Sequence, residues 1–329
     1  MPGLPEWEAM MQRHFYSVLV VLLMTISTAQ AQVSASPAAV SEVEAGKGFY
    51  ARGQLDSAIE HYNAAIRADA KYADAYFHRG NALYVKGEYE RAGADYERAV
   101  QLDPGWSEAF NNRGLIRRLQ GKIEQAIADF SHAIRLSPNL SEAYNNRGMA
   151  LRQSGNLAAA LKDFDHALSI NSHMAEVYSN RAVVKFLMND HAGSIKDDAK
   201  AIKLNPRLAG PYYNRGLAYE TLGHFDQAIE DYTKAVEIDP YFVDAYQNRA
   251  GIYEARREYA EALADYERVL QIDPGHATAY ADRGIILLVK GQRKEAQSDF
   301  DRCLRLNEGL RTVLDQRIQQ VEGQSVGRK

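Results

Sequence analysis

The 329-residue chain is predicted to fold as an all-α solenoid on three observations: similar segments return every 34 residues, glycine holds one fixed place within them, and proline holds another. The segments include FNNRG at 110, YNNRG at 144, YSNRA at 178, YYNRG at 212, YQNRA at 246 and YADRG at 280. With Ala73 as place one, copies begin at Ala39, Ala73, Ser107, Ser141, Ala175, Ala209, Val243 and Ala277, without one insertion. A fixed period means that each unit buries its apolar face against its neighbours, so repeats rather than domains organise the chain.

Residues 1–31 stand before the array and read as a signal peptide. Arg13 and His14 precede the apolar run from Phe15 to Ile26, and Ala29-Gln30-Ala31 supplies a small-x-small cleavage site. Glu6 and Glu8 spoil a positive lead, which points to a start at Met10 or Met11. The run is short for a bilayer span. A cleaved precursor, periplasmic or secreted, is the expectation, and an uncleaved inner-membrane anchor its alternative. A short linker, 32–38, follows. Cys303 is the lone cysteine, which excludes an internal disulfide and still suits export, because a repeat stack buries surface without one. Basic and acidic residues nearly balance, 39 against 43, so charge gives no sign of nucleic acid.

The eight copies, 39–72, 73–106, 107–140, 141–174, 175–208, 209–242, 243–276 and 277–310, repeat place by place. Place eight is Gly46, Gly80, Gly114, Gly148, Ala182, Gly216, Ala250 and Gly284, and place 20 is alanine except for Ser194. Small residues at both let two helices approach closely. Place 15 is glycine in six copies, where a turn with a positive backbone angle would join the helices. Pro104, Pro138, Pro206, Pro240 and Pro274 at place 32 end a copy, since proline cannot continue a helix. Aromatics at places four and 24 form core stripes. After the last copy, Leu314, Ile318 and Val321 make one apolar stripe on a capping helix, 311–323, with a disordered tail, 324–329, beyond it.

Place seven carries Arg79, Arg113, Arg147, Arg181, Arg215, Arg249 and Arg283, and place 23 carries Asp95, Asp129, Asp163, Asp197, Asp231, Asp265 and Asp299. Both places lie eight residues from place 15, so in an antiparallel hairpin they stand level and should form bidentate ion pairs. Copy one has Ala45 and His61 there instead.

Period, glycine, alanine and proline places together resemble the tetratricopeptide repeat family over 39–310. That resemblance implies a helix–turn–helix unit per copy, a right-handed superhelix, and a concave groove lined by the first helix of each copy. On that side place six is Asn112, Asn146, Asn180, Asn214 and Asn248. A carboxamide offers a donor and an acceptor, which match a peptide backbone whatever its sequence. The row resembles the asparagine ladder in the repeat domain of O-linked N-acetylglucosamine transferase, whose catalytic domain has no counterpart here. The competing reading is that these asparagines bridge neighbouring copies. The carboxylate-clamp version of the family would need a basic residue where Phe77 and Glu142 stand, and only Asn81 and Asn112 match it.

Place 12 runs Tyr50, Tyr84, Arg118, Arg152, Phe186, Glu220, Glu254 and Leu288, basic in the middle and acidic later. Such a row could orient a peptide by charge, with solvated helix faces as the plainer reading. Copy five departs most from the pattern: Asp198 replaces the aromatic, and Ser194, Lys185, Ala182 and Asn189 also differ, which marks it as a soft joint. No HExxH, phosphate loop, calcium loop or paired-cysteine spacing occurs, and His132 and His166 on an outer face read as solvated. No enzyme activity, metal or cofactor is expected. The expected role is a scaffold that binds an extended segment of another protein through the five asparagines with Phe77, Tyr84, Arg118, Arg152, Tyr213 and Glu220. The alternatives are self-association or service as an accessory subunit of an envelope or secretion complex.

Overall fold

The computed structural model describes residues 35–326, with side chains to 323. The expected signal peptide, the start of the linker and residues 327–329 lie outside the described residues. Among the described residues the chain forms α-helices, one short 3-10 turn (Glu308–Leu310) and no strand. No described helix is long and apolar enough to cross a membrane.

Eight hairpins follow in order: α1 (Pro37–Ala51) with α2 (Leu55–Ala68), α3 (Ala73–Val85) with α4 (Tyr89–Leu102), α5 (Ser107–Leu119) with α6 (Ile123–Leu136), and α7 (Ser141–Gln153) with α8 (Leu157–Ile170). They continue with α9 (Ala175–Leu187) and α10 (His191–Leu204), α11 (Ala209–Thr221) with α12 (Phe225–Ile238), α13 (Val243–Ala255) with α14 (Tyr259–Ile272), and α15 (Ala277–Val289) with α16 (Arg293–Leu306). α17 (Arg311–Val326) ends the described chain. From copy two onward the first helix begins on place one. α1 begins two residues earlier, inside the expected linker, because Ser36 caps it: the Ser36 Oγ accepts the Ala39 N–H at 3.1 Å and Pro37 fits the first turn. α17 continues to Val326, three residues past the expected end of the capping helix.

The chain divides into two compact units at 188/189, in the turn of copy five. In the first, Tyr62, Tyr96, Phe130 and Phe164 at place 24 are fully buried; in the second, Tyr232 and Tyr266 are. These rings explain place eight. A Cβ on Gly114 would stand 2.7 Å from the Phe130 ring, closer than packed atoms approach. Ala250 shares a core with Tyr266 in copy seven, so a methyl there is tolerated once the helices adjust.

Place 15 is governed by conformation and not by space. Its six glycines have φ of 73–82°, and a Cβ on any of them would meet nothing within 4 Å. The other two copies with a second helix after this turn keep the same bend with Asn189 and Arg257, both at φ 63°. Place 31 supplies a link that the prolines alone do not: the carboxylate of Asp103, Asp239 or Asp273 accepts the backbone N–H two residues on, at 2.9–3.0 Å, and turns the chain into the next copy. At the end, Leu314 is buried and Ile318 and Val321 pack around it, as the stripe on α17 anticipates.

Candidate functional site

The arginine of the repeated motif is a staple. Arg79, Arg113, Arg147, Arg215, Arg249 and Arg283 each donate from Nε and Nη2 to the two oxygens of the place-23 aspartate, at 2.6–2.9 Å. The carboxylates are buried, with 4–9% of the side chain exposed, and the guanidinium groups are 13–25% exposed. Hydrogen bonding to the carboxylate raises the proton affinity of Arg79, Arg147, Arg215 and Arg283. Nη1 reaches further, to place 25 of the preceding copy: Asn63 for Arg79, Glu97 for Arg113, Ser131 for Arg147, Asp165 for Arg181 and Thr233 for Arg249. Each guanidinium also lies 5.0–5.8 Å from the centre of the place-four ring of its own helix. One side chain therefore ties two helices of a hairpin, its own aromatic and the copy before. Copy one achieves a hairpin contact by other means, with His61 Nδ1 2.7 Å from Glu42.

The asparagines at place six are not the free amides of the sequence reading. In the first unit the Asn112 Nδ2 donates to Asn81 Oδ1 at 3.0 Å, Asn146 to Asn111 at 2.9 Å, and Asn180 to Asn145 at 3.0 Å. In the second unit Asn248 donates to the Tyr213 hydroxyl at 3.3 Å, and Asn214 is buried. The cause is the stacking distance: place six of one copy lies against place five of the copy before, or place nine for Asn112, and takes whatever acceptor stands there. Only the donor is spent this way. The Oδ1 atoms of Asn146, Asn180 and Asn248 take no hydrogen bond among the described residues.

Phe77 and Tyr213 correct a second expectation, because both are buried and neither presents an open face. Phe77 packs on Trp106 with ring centres 4.3 Å apart, and Tyr213 on Phe242 at 4.8 Å. Trp106 and Phe242 are the last residues of the same copies, so an aromatic at place five has an aromatic at place 34 waiting for it. That pairing was present in the sequence. His132 and His166 are not simply solvated either; they stand against the place-four rings of Phe110 and Tyr144, at 4.1 and 4.2 Å.

Place 12 remains the accessible row. Tyr84 is half-buried with its ring beside Tyr89. Arg117 joins the staple, bonding Asp129 and Glu97, whereas Arg118 next to it has no hydrogen bond or ion pair among the described residues and keeps its Nε buried. Arg152 is half-buried one copy on. In the second unit Glu220 Oε2 accepts the Tyr232 hydroxyl at 2.6 Å and Glu254 Oε2 that of Tyr266 at 2.9 Å, and burial lifts both carboxyls above their ordinary value.

Comparison with known proteins agrees with this geometry. Models of the TPR repeat match residues 46–87 and 114–151, and tetratricopeptide repeat models match 73–105, 141–174, 209–242, 231–264 and 250–321. No curated protein matches the chain. Among solved structures, the Cut9 chain of the APC/C hetero-tetramer Cut9-Hcn1 is similar with a TM-score of 0.64 and 20% identity over 76% of this chain, which spans 48% of that one. PilF of Pseudomonas aeruginosa is similar with a TM-score of 0.58 and 19% identity, over 65% of this chain and 97% of that one. YrrB, described as a TPR protein with an unusual peptide-binding site, is 23% identical with a TM-score of 0.45, over 56% of this chain and 95% of that one. The place-by-place staples and the family matches on both sides of residue 188 have one meaning: the chain belongs to the tetratricopeptide repeat proteins.

Proposed function

We propose that this protein is a non-catalytic scaffold that binds extended segments of another protein along the walls made by its first helices. The observation that carries the reading is the split use of place six. Asn146 and Asn180 in the first unit and Asn248 in the second each spend the donor on the copy before and keep a free Oδ1, suited to the N–H groups of an extended backbone. Beside that row in the first unit, Arg118 is a guanidinium with no partner among the described residues, and partly buried guanidinium groups are strong seats for carboxylates. The run from Phe15 to Ile26 with Ala29-Gln30-Ala31 supports export, with a mature chain starting at Gln32.

Peptide arrays test the reading. The full chain is expected to retain short extended peptides, with acidic side chains favoured where a peptide meets Arg118 of the first unit, and light scattering to show a concentration-independent monomer. Retention should fall in Asn146→Ala and persist in the outer-face variant His166→Ala. Equal retention by both variants, or a dimer whose interface excludes all peptides, overturns it.

A further inference from the structure

The second unit contains an internal example of what its wall binds. Arg317 of α17 donates from Nη1 to Asp282 at 2.6 Å and from Nη2 to Glu254 at 3.1 Å, a guanidinium seated between place 12 of copy seven and place six of copy eight. Arg317 stands 34 residues after Arg283, in the staple register. No second helix follows α17 among the described residues, and the Arg317 side chain turns to the wall instead. Arg317 and Glu254 line a cleft of about 340 Å³ with Gly251, Ile285 and Val289, so the seat opens to solvent.

Moved back by one repeat, the same seat is made of Glu220 and Asn248. The parallel extends to the tyrosine: Tyr266 bonds Glu254 beside Asp282 and Arg317, and Tyr232 bonds Glu220 with the Asn248 carboxamide against its hydroxyl. The arginine that would fill it from the repeat register is Arg283, which is committed to Asp299. Glu220 Oε1 and Asn248 Oδ1 take no hydrogen bond among the described residues. We propose that Glu220 and Asn248 seat an arginine or lysine side chain of a bound peptide, in the manner in which Glu254 and Asp282 seat Arg317. The inference rests on the peptide-binding reading above and specifies the partner's chemistry at the second unit: a basic residue, with Arg317 as an occupant of the neighbouring seat that a second basic residue would have to displace.

The test uses the full chain and pools of short peptides that are random except for a central arginine, lysine, citrulline or glutamate. Citrulline keeps the shape of arginine and lacks its charge. The arginine pool is expected to bind about tenfold more tightly than the citrulline pool. Glu220→Gln, which retains an acceptor for Tyr232, should erase that ratio while helicity and melting temperature stay at wild-type values, and Arg317→Ala should enlarge it by opening the second seat. A ratio unchanged by Glu220→Gln overturns this inference and leaves the scaffold reading standing. Pools that bind without regard to the central residue do the same. If no pool binds, the scaffold reading falls and this one with it.

Discussion

At the scale of single residues the repeated arginine has a structural assignment that can be measured. The Arg147–Asp163 pair has two parallel hydrogen bonds and a buried carboxylate, so Arg147→Ala or Asp163→Ala alone leaves an uncompensated charge, at about 3 kcal/mol each. The double variant should lose clearly less than the sum, and additive losses in denaturant melts would refute the pairing. Arg257 holds a positive φ that a side chain resists, with no glycine to relieve it. Arg257→Gly should therefore stabilise the fold by about 1 kcal/mol, read as a higher denaturation midpoint. His78 occupies place six of copy two, where burial first and nearby Lys47 second push its imidazole down to about 3 from 6.5. A base that stays neutral when folded but protonates when unfolded contributes its stability above pH 6.5 and loses it progressively as pH falls toward 3. Melts across that range should show the slope in wild type and a flatter one in His78→Asn. The arginine–aspartate match was legible because both residues sit equally far from the turn. The reach of Nη1 to the preceding copy was not, because sequence spacing within a hairpin says nothing about how far apart two stacked hairpins stand.

At the scale of elements the same division holds. From copy two onward the first helices start on place one and the turn glycines take positive φ; the glycines follow from backbone freedom, whereas Tyr72, Trp106 and Leu140 before their helices supply no side-chain cap. The cover over Phe77 and Tyr213 comes from place 34, which also carries large apolar residues, Trp106 and Phe242 among them. Copy five shows what departure from the pattern does. Ser194 stands where every other copy has alanine, is fully buried, and its Oγ has no hydrogen-bond partner among the described residues. Asp198 is fully buried where the other copies carry an aromatic ring. An unsatisfied hydroxyl costs its desolvation, so Ser194→Ala should stabilise by about 1 kcal/mol and slow hydrogen exchange across 175–208. Destabilisation by that substitution would show that the hydroxyl is used.

At the scale of the whole molecule, architecture was written in the period, and recognition was written only in part. The five asparagines share one repeat position in the sequence, but whether they were free depended on the neighbours they meet, and the donors of Asn112, Asn146, Asn180 and Asn248 turned out to be spent between copies. What is left for a partner is the Oδ1 of Asn146 and Asn180 with the unpaired Arg118 guanidinium in the first unit, and the Oδ1 of Asn248 in the second. Arg118 isolates that claim, because it has no partner among the described residues whose loss would weaken the fold. The most direct measurement is the affinity of Arg118→Ala for array-selected acidic peptides, taken alongside its melting temperature. An unchanged melting temperature with binding weakened about tenfold is the expected result; wild-type affinity in that variant would mean that Arg118 seats no ligand.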